Sequence, residues 1–316
     1  MNILITGAGA IGVAVGAGLA SAGQKVSFFA RGETKKAIEA GGVHRTGLFG
    51  DLDIPAEQVS VSDDYAAFAP GSFDFVLVCA KTLANDQISQ ALSENRQILK
   101  PEGKIVLLQN GWGNDKAYRR FFDETQVWNA RVITGFQRTA PNVSKITVHT
   151  APVLLGSLYG LDCAPMAELA AAIDRGGLPA QASNEVSKAL WAKMLYNCTL
   201  NPLGAVLGVH YGALTNSPET VAIMNDLMDE IFAVMTAAGY TTFWPDADSY
   251  RKEFYGKLLP DTFYHNSSTL QDIRAKHPTE IATLTGVILE LGREHGVPTP
   301  VNTMLYRLIR GLEANY

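Results

Sequence analysis

The stretch NILITGAGAIG, residues 2–12, decides the fold of the first half of the chain. Its first five residues form an apolar run of strand length that ends in a glycine cluster, and residues 11–22 then have helical spacing and composition. The glycines follow the pattern G-x-G-x-x-G at Gly7, Gly9 and Gly12. Because this pattern stands between a strand and a helix, it predicts a dinucleotide-binding loop.

Each glycine of this loop has its own expected role. Gly7 permits the tight turn, Gly9 lets the backbone approach a pyrophosphate, and Gly12 lets the helix pack closely on the strand. The helix N-terminus adds free N–H groups and the positive end of the helix dipole. The predicted cofactor loop consists of Gly7, Ala8, Gly9, Ala10, Ile11 and Gly12. The alternative is a glycine-rich turn without a ligand.

The two halves of the chain have different patterns. Apolar runs of strand length recur at residues 25–30, 73–80 and 103–109, with helical segments between them, and this predicts a parallel sheet with right-handed crossovers. After about residue 183 long helical segments follow, at residues 185–200, 218–238, 279–295 and 301–313. We therefore expect an α/β Rossmann-type dinucleotide-binding domain over residues 1–182 and a mainly α-helical domain over residues 183–316.

Length, charge and cysteine content narrow the class of protein. A chain of 316 residues exceeds the ~100–200 residues usual for one domain. The net charge is −5 and no cluster of lysine and arginine is interleaved with aromatic residues, so we expect small-molecule partners and no nucleic acid. Three scattered cysteines predict neither a disulfide framework nor a metal site, and they fit a reducing cytoplasm.

Targeting signals and other catalytic motifs are not found. The apolar first 22 residues lack the basic start of a signal peptide, because no lysine or arginine precedes Lys25. Glycines and polar residues interrupt every long apolar run, so no membrane span is predicted. No H-E-x-x-H, G-x-S-x-G or P-loop pattern occurs, which argues against a metalloprotease, a serine hydrolase or a nucleotide triphosphatase.

The end of the second strand indicates which dinucleotide is bound. In dinucleotide-binding folds a carboxylate at this position binds the adenosine ribose 2′-hydroxyl of NAD. This chain has Ala30 followed by Arg31, a cation suited to the 2′-phosphate of NADP. The sequence therefore predicts NADP(H), and the alternative is an arginine that is merely solvated.

Two polar residues follow the later strands. Lys81 and Asn110 come directly after the apolar runs at residues 73–80 and 103–109. Ligands of open parallel sheets lie beyond the carboxyl ends of the strands, so both residues are expected near the nicotinamide and its substrate. Each of them alone is equally well explained as an ordinary loop residue.

A polar line runs through WAKMLYNCTLNP, residues 191–202. Lys193, Asn197 and Asn201 are four residues apart and fall within an arc of ~80° on a helix. No charged residue occurs between Lys193 and Glu219, so this face is expected to line an internal cleft rather than bulk water. In the alternative interpretation, the asparagines bind neighbouring loops and Lys193 extends to the surface.

The segment of residues 266–280 adds hydroxyl groups and a carboxylate. Ser268 lies in a stretch expected to be irregular, and Glu280 is expected in the first turn of a helix that begins near Pro278. By itself, an early glutamate is explained by the helix dipole.

Together these motifs resemble one known family. They are similar to those of the ketopantoate reductases (2-dehydropantoate 2-reductases): GAGAIG with Arg31, CAK at 79–81, QNG at 109–111, Lys193 with Asn197 and Asn201, and SSTLQDIRAKHPTEI at 267–281. The resemblance covers nearly the whole chain. It implies an N-terminal Rossmann-type domain, a helical C-terminal domain, and an active site in the cleft between them.

The resemblance also implies residue roles. Lys193 matches the general acid of the family, Glu280 the carboxylate that partners it, and Ser268 the hydroxyl that holds the substrate carboxylate. The remaining matches are Asn110, Asn197 and Asn201 as substrate-binding amides, and Lys81 with Asn110 on the cofactor side.

The implied chemistry agrees with these residue types. Hydride delivered to a 2-oxo carbon develops negative charge on the carbonyl oxygen, so an ammonium that donates a proton lowers the barrier. We therefore expect an NADPH-dependent 2-oxo acid reductase, in its sharpest form one that reduces 2-dehydropantoate to (R)-pantoate in pantothenate and coenzyme A biosynthesis.

Two alternative functions stay open. A related reductase of another 2-oxo acid or a ketone is the first, because the aromatic residues Trp112, Tyr196 and Tyr211 lie near the motifs and would shape a different pocket. A catalytically silent NADPH-sensing protein is the second, and the presence of Lys193, Glu280 and Ser268 together argues against it. The sequence leaves open whether the chain is a monomer or a homodimer.

Overall fold

The computed structural model describes residues 1–316, which divide into two compact units. The first unit comprises Met1–Asn110 and Asn114–Val186, and the second comprises Gly111–Gly113 and Ser187–Tyr316. The chain therefore passes from one unit to the other near residue 186. Gly111–Gly113 is an earlier excursion into the second unit that the sequence does not predict.

The first unit is built on one ten-stranded sheet. In chain order, the strands are β1 (Asn2–Thr6), β2 (Lys25–Phe29), β3 (Val43–Gly47), β4 (Leu52–Ile54), β5 (Val59–Ser62), β6 (Phe73–Val78), β7 (Leu99–Leu107), β8 (Val127–Ala140), β9 (Val143–Gly156) and β10 (Ala180–Ala182). They lie in the order β4-β3-β9-β8-β7-β6-β1-β2-β5, and β10 pairs with β9. All pairs are parallel except β3 with β4 and β8 with β9. The predicted α/β Rossmann-type fold is confirmed.

Helices and apolar cores cover both faces of this sheet. The helices are α1 (Ala10–Ser21), α2 (Gly32–Gly41), α3 (Asn85–Glu94), α4 (Asp115–Arg119) and α5 (Ala167–Arg175). Ile3 and Ile5 of β1 pack in one core with residues of α1 and α5, whereas Leu4 packs in a second core that includes residues of α3 and α4. Because β1 is buried on both faces, it reads as an unbroken apolar run.

The largest difference from the sequence prediction is the hairpin formed by β8 and β9, two strands of 14 residues each. The sheet is therefore mixed rather than wholly parallel. Much of the outer part of the hairpin is exposed, and register shifts interrupt the pairing, so a regular alternation of apolar and polar residues does not develop. The sequence likewise does not identify β3, β4 and β5, which have only three to five residues each.

The second unit is mainly helical, as the sequence predicts. Its helices are α6 (Val186–Leu207), α7 (Pro218–Ala237), α8 (Ala247–Glu253), α9 (Leu259–Asp261), α10 (Ser268–Arg274), α11 (Thr285–Glu294) and α12 (Pro300–Glu313), and a π-helical turn, Phe254–Leu258, joins α8 to α9. The observed bounds of α7 and α12 agree with the predicted ones to within one residue.

The helix α6 ends at Leu207 rather than at residue 200, and Pro202 lies in its interior. Proline has no N–H to donate to the carbonyl of Cys198, and in a helix interior it costs about 3 kcal/mol. Leu200 and Leu203 are buried on either side of it, and their burial offsets that cost. As a result, Asn201 remains within the helix.

The helix α11 begins at Thr285, so the predicted start near Pro278 is wrong. Glu280 precedes the helix and is followed by a turn over residues 281–284. The carbonyl oxygen of Thr283 accepts the N–H of Trp112 at 3.1 Å, and a Cβ on Gly111 would lie 2.3 Å from the same oxygen. The carbonyl of Thr283 therefore binds another segment of the chain rather than an N–H of α11.

Aromatic packing fixes the Gly111–Gly113 segment in the second unit. Trp112 is buried, and its ring lies 5.1 Å from the ring of Trp191 and 4.8 Å from that of Tyr240, measured between centroids. Aromatic pairs of this kind contribute about 0.5–1.5 kcal/mol beyond the burial of their area. The buried tryptophan explains why three loop residues belong to the second unit.

Candidate active site

The glycine loop is closed by two contacts that exclude a side chain. Gly7 has φ +97°, and a Cβ on it would lie 2.5 Å from the backbone nitrogen of Ala80. A Cβ on Gly12 would lie 2.2 Å from the carbonyl oxygen of Gly7. The turn therefore needs glycine at position 7 for its backbone conformation, and the approach of α1 to β1 needs glycine at position 12.

Gly9 differs from these two glycines, because a Cβ on it would meet no atom within 4 Å. The residue precedes α1, whose first turn contains no acidic residue and whose N-terminus is not capped by a side chain. The helix therefore offers backbone N–H groups and its positive dipole to an open space. This arrangement leaves room for an anionic group such as the pyrophosphate of a dinucleotide.

Arg31 follows the carboxyl end of β2, next to the strand that leads into the glycine loop. It is exposed, and its guanidinium lies 5.2 Å from the centroid of the Phe29 ring. The nearby carboxylate of Asp63 accepts a hydrogen bond from Lys35 at 2.6 Å, and this bond lowers the pKa of Asp63. Because Lys35 balances Asp63, the charge of Arg31 remains available to an anion.

Lys81 and Asn110 follow the neighbouring strands β6 and β7, and β6 lies beside β1. Lys81 is exposed and Asn110 is half-buried. Since the three strands are parallel, both residues lie at the same edge of the sheet as the glycine loop. Their roles toward a ligand stay predictions.

A ring of buried amides, which the sequence does not predict, surrounds the Asn110 loop. Gln109 Nε2 donates to Asn85 Oδ1 at 2.7 Å, Asn85 Nδ2 donates to Asn114 Oδ1 at 3.0 Å, and Asn114 Nδ2 donates to the carbonyl of Asn110 at 2.7 Å. Gln109 Nε2 also donates to the carbonyl of Ala80. The ring thus ties the segments after β6 and β7 together. The sequence signal for this ring is that polar residues, Gln109 among them, stand at the ends of these strands.

The polar line of α6 lies on an otherwise buried helix. Lys193 and Asn197 are half-buried, Asn201 is 3% exposed, and Met194, Leu195, Cys198 and Leu200 are all buried. The Asn201 amide is oriented by its neighbour, because Asn201 Oδ1 accepts the hydroxyl of Tyr211 at 2.6 Å. The amide nitrogen of Asn201 is then the group left to donate to a ligand.

Two adjacent serines have different surroundings. Ser267 is buried, its hydroxyl accepts the N–H of Leu270 at the start of α10, and it lies 3.4 Å from the carbonyl of Asn201. Ser268, the predicted ligand of the substrate carboxylate, is exposed. Glu280 is half-buried. The structure thus brings Asn201, Ser267 and the start of α10 together.

Other reactive groups do not form a second centre. Burial raises the pKa of Cys79 and of Cys198 to about 12, so both thiols are protonated and unreactive at neutral pH. No three His, Cys, Asp or Glu side chains are grouped to hold a metal ion. Of the aromatic residues expected near the site, Trp112 and Tyr211 are buried and Tyr196 is half-buried.

A membrane-spanning helix is not found, because none of the helices combines enough length with enough apolar character.

The sequence matches two consecutive family descriptions. "Ketopantoate reductase PanE/ApbA" matches residues 3–159, and "Ketopantoate reductase PanE/ApbA C terminal" matches residues 185–313. A 2-dehydropantoate 2-reductase from Aquifex aeolicus is 34% identical over 314 residues, which cover 99% of this chain and 97% of that protein.

Solved structures agree with the sequence matches. The crystal structure of a PanE/ApbA family ketopantoate reductase from Ralstonia eutropha JMP134 has a TM-score of 0.84 and 31% identity, and the match covers 100% of this chain and 99% of that one. A ternary structure of D-mandelate dehydrogenase with NADH and anilino(oxo)acetate has a TM-score of 0.85 over 100% and 99% of the two chains, but at 21% identity it shares the fold alone. The chain belongs to the ketopantoate reductase family, as the resemblance of its motifs predicts.

Proposed function

We propose that this protein is an NADPH-dependent reductase of 2-dehydropantoate, with (R)-pantoate as its product. The observation that carries the proposal is the polar line of Lys193, Asn197 and Asn201 on a helix whose other residues are largely buried and apolar. A helix face with a cation and two amides is suited to a ligand that carries negative charge and hydrogen-bond acceptors. Membership of the ketopantoate reductase family, whose named relatives are oxidoreductases, supports the same function.

The residues at the sheet edge are assigned to the cofactor. When bound, NADPH supplies the hydride. The backbone from Gly7 to Gly12 holds the pyrophosphate at the N-terminus of α1, and Arg31 binds the adenosine 2′-phosphate. Lys81 and Asn110 bind on the nicotinamide side.

The polar residues of the second unit are assigned to the substrate. As the 2-oxo carbon is reduced, negative charge develops on its oxygen, and the ammonium of Lys193 stabilises this charge and donates the proton that completes the hydroxyl. The amides of Asn197 and Asn201 donate hydrogen bonds that orient the substrate, and Ser268 binds its carboxylate. The carboxylate of Glu280 favours the protonated form of Lys193.

Replacing Arg31 with alanine is expected to raise the KM for NADPH by about 10- to 100-fold, the range of a lost charged hydrogen bond, and to change the KM for NADH by less than about twofold. Only NADPH carries the phosphate that the guanidinium would bind. Steady-state kinetics with each cofactor measure the two values.

Lys36→Ala is the matched control for this test, since Lys36 is an exposed lysine of α2, the helix that follows Arg31, and is paired with Glu33. It is expected to leave both KM values unchanged. An equal effect of Arg31→Ala on the two cofactors would contradict the choice of NADPH.

Rates over a panel of oxo compounds test the substrate. We expect kcat/KM with NADPH to be highest for 2-dehydropantoate among 2-oxoisovalerate, 2-oxoglutarate, phenylglyoxylate and a simple ketone. Rapid turnover of another member beside negligible turnover of 2-dehydropantoate would support the alternative reductase, for which the shared fold with D-mandelate dehydrogenase is the motivation. No turnover of any member, with NADPH bound, would support an NADPH sensor.

The proposed location is the cytoplasm.

A further inference from the structure

Asn129 and Arg131 lie on one face of β8, where the strand extends past the end of β7. Asn129 pairs with Leu107, the last residue of β7, so Arg131 lies beyond that end, beside the segment that carries Asn110. Val127 packs in the core shared with α3 and α4, whereas Trp128 packs in the core on the other face. Alternation along the strand places Asn129 and Arg131 on the side of Val127.

Both side chains are buried and have donors without acceptors. Arg131 is 7% exposed, and its Nε and Nη1 have no hydrogen-bond partner. Asn129 is 5% exposed, and its Nδ2 also has none. All three unsatisfied atoms are donors, so what this face of the strand lacks is a hydrogen-bond acceptor.

The surroundings of Arg131 contain no compensating acid. It forms no salt bridge, and burial lowers its pKa. The titratable neighbour that responds to its charge is a base, since burial and then the charge of Arg131 lower the pKa of His149. An unpaired buried charge is costly, and a partner that is an anion removes the cost.

A second buried arginine has carbonyl partners at both of its terminal nitrogens. Arg45 is fully buried, and its Nη1 donates to the carbonyl of Gly176 at 2.5 Å while its Nη2 donates to the carbonyl of Phe49 at 3.3 Å. Nε of Arg45 has no partner, as in Arg131, so the two side chains differ at Nη1, which has an acceptor in Arg45 and none in Arg131. Arg45 thus joins two segments through both of its terminal nitrogens, whereas Nη1 of Arg131 lacks an acceptor.

The position of Arg131 selects the kind of anion. β8 is three strands from β1, or about 14 Å at the usual strand spacing, so the site is distinct from the glycine loop that would hold the pyrophosphate. It is next to β7, whose carboxyl end carries Asn110. Among the ligands of a 2-oxo acid reductase, the anion expected there is the substrate's.

We propose that Arg131 and Asn129 form a carboxylate-binding site for the 2-oxo acid substrate. The guanidinium of Arg131 donates a charge-assisted hydrogen bond to the carboxylate, and the amide of Asn129 donates another. This inference rests on the proposed function in taking the anion to be a substrate. The carboxylate is either the one next to the oxo group, in which case Arg131 and Asn129 take the role proposed above for Ser268, or the second one of a dicarboxylic 2-oxo acid.

Calorimetric titration of Arg131→Met tests the site. Wild type and variant are titrated with 2-oxoisovalerate and with 2-oxoglutarate in saturating NADP⁺, a cofactor form that cannot reduce them. We expect the Kd of the variant to rise about 10- to 100-fold. A rise for both acids assigns the carboxylate next to the oxo group, and a rise for 2-oxoglutarate alone assigns the second carboxylate. Values within twofold of wild type, or no binding to wild type, overturn the site.

Thermal unfolding of the free proteins separates binding from a structural role. Since Arg131→Met removes an unpaired buried charge, its Tm is expected to equal or exceed that of wild type, and the Kd for NADP⁺ is expected to stay the same. A lower Tm together with weaker NADP⁺ binding would mean that Arg131 is structural. Arg131→Lys keeps the positive charge on a single nitrogen, and its Kd is expected to lie between those of wild type and Arg131→Met. It tests the site if Arg131→Met does not fold.

Arg138→Met is the matched control on the same strand. Arg138 is exposed and donates to the hydroxyl of Thr34 and the carbonyl of Pro141, so its loss is expected to leave the Kd of both acids unchanged. Because the titrations need no turnover, they are independent of the proposed reaction. A wild type that reduces no 2-oxo acid, with a variant that loses carboxylate affinity, would refute the reaction and retain the site.

Discussion

Substitution of Lys193 by alanine is expected to lower kcat for 2-oxo acid reduction by at least about 100-fold, the lower range for the loss of a general acid. The Kd for NADPH is expected to stay within about twofold of wild type, because Lys193 is assigned to the substrate and not to the cofactor. Single-turnover reduction and fluorescence titration of NADPH measure the two quantities separately. A protein that only senses NADPH would reduce no 2-oxo acid with or without the substitution, and its Kd for NADPH would stay the same.

Two further lysine variants identify what Lys193 contributes. Lys193→Arg keeps a positive charge, but a guanidinium does not give up its proton in proteins, so kcat is expected to recover little. Recovery of most of the activity would mean that the charge alone matters and that water supplies the proton. Lys188→Ala, on the preceding turns of α6, is the matched control and is expected to leave kcat within about twofold of wild type.

Alanine at Gly12 and at Gly9 is expected to affect stability in opposite ways. Gly12→Ala places a methyl group against the carbonyl of Gly7, which cannot move away as a side chain could, and we expect the free energy of unfolding to fall by about 1–3 kcal/mol or more. Gly9→Ala meets no atom of the protein, so the free energy of unfolding is expected to stay the same or to rise by up to about 1 kcal/mol. Urea unfolding of the cofactor-free protein measures both.

The affinity for NADPH is expected to distinguish Gly9 and Gly12 from glycines outside the cofactor loop. Both variants are expected to weaken NADPH binding at least about 10-fold, Gly12→Ala through a distorted loop and Gly9→Ala through direct exclusion of the pyrophosphate. Gly311→Ala is the control, because Gly311 is exposed on α12 and its Cβ would also meet no atom. NADPH affinity of Gly9→Ala equal to that of wild type would remove the assignment of this loop to the cofactor.

The parts of the fold that the sequence predicts well are those in which one local signal suffices. β1 is buried on both faces and followed by the glycine loop, so its bounds are predicted correctly. The helices α7 and α12 each have a proline at their start. In these segments, local propensity and tertiary burial favour the same structure.

The remaining elements depend on contacts between distant residues. The turn that precedes α11 contacts a residue far away in the sequence, because the Thr283 carbonyl accepts the N–H of Trp112. The β8–β9 hairpin obtains its order from pairing, while its own pattern is broken by register shifts. Lys193, Asn197 and Asn201 are proposed as site residues from spacing and resemblance, whereas the unsatisfied donors of Arg131 become visible only when burial is known.

The amide ring around Asn110 limits which substitutions the chain can accept at its positions. Asn85 and Asn114 each donate to one neighbour and accept from another, so either position requires a side chain that does both at once. Aspartate at position 114 would still accept from Asn85 but could not donate to the carbonyl of Asn110, and leucine would do neither. Evolutionary change is therefore expected to replace the two amides together, as a pair that covaries, rather than one at a time.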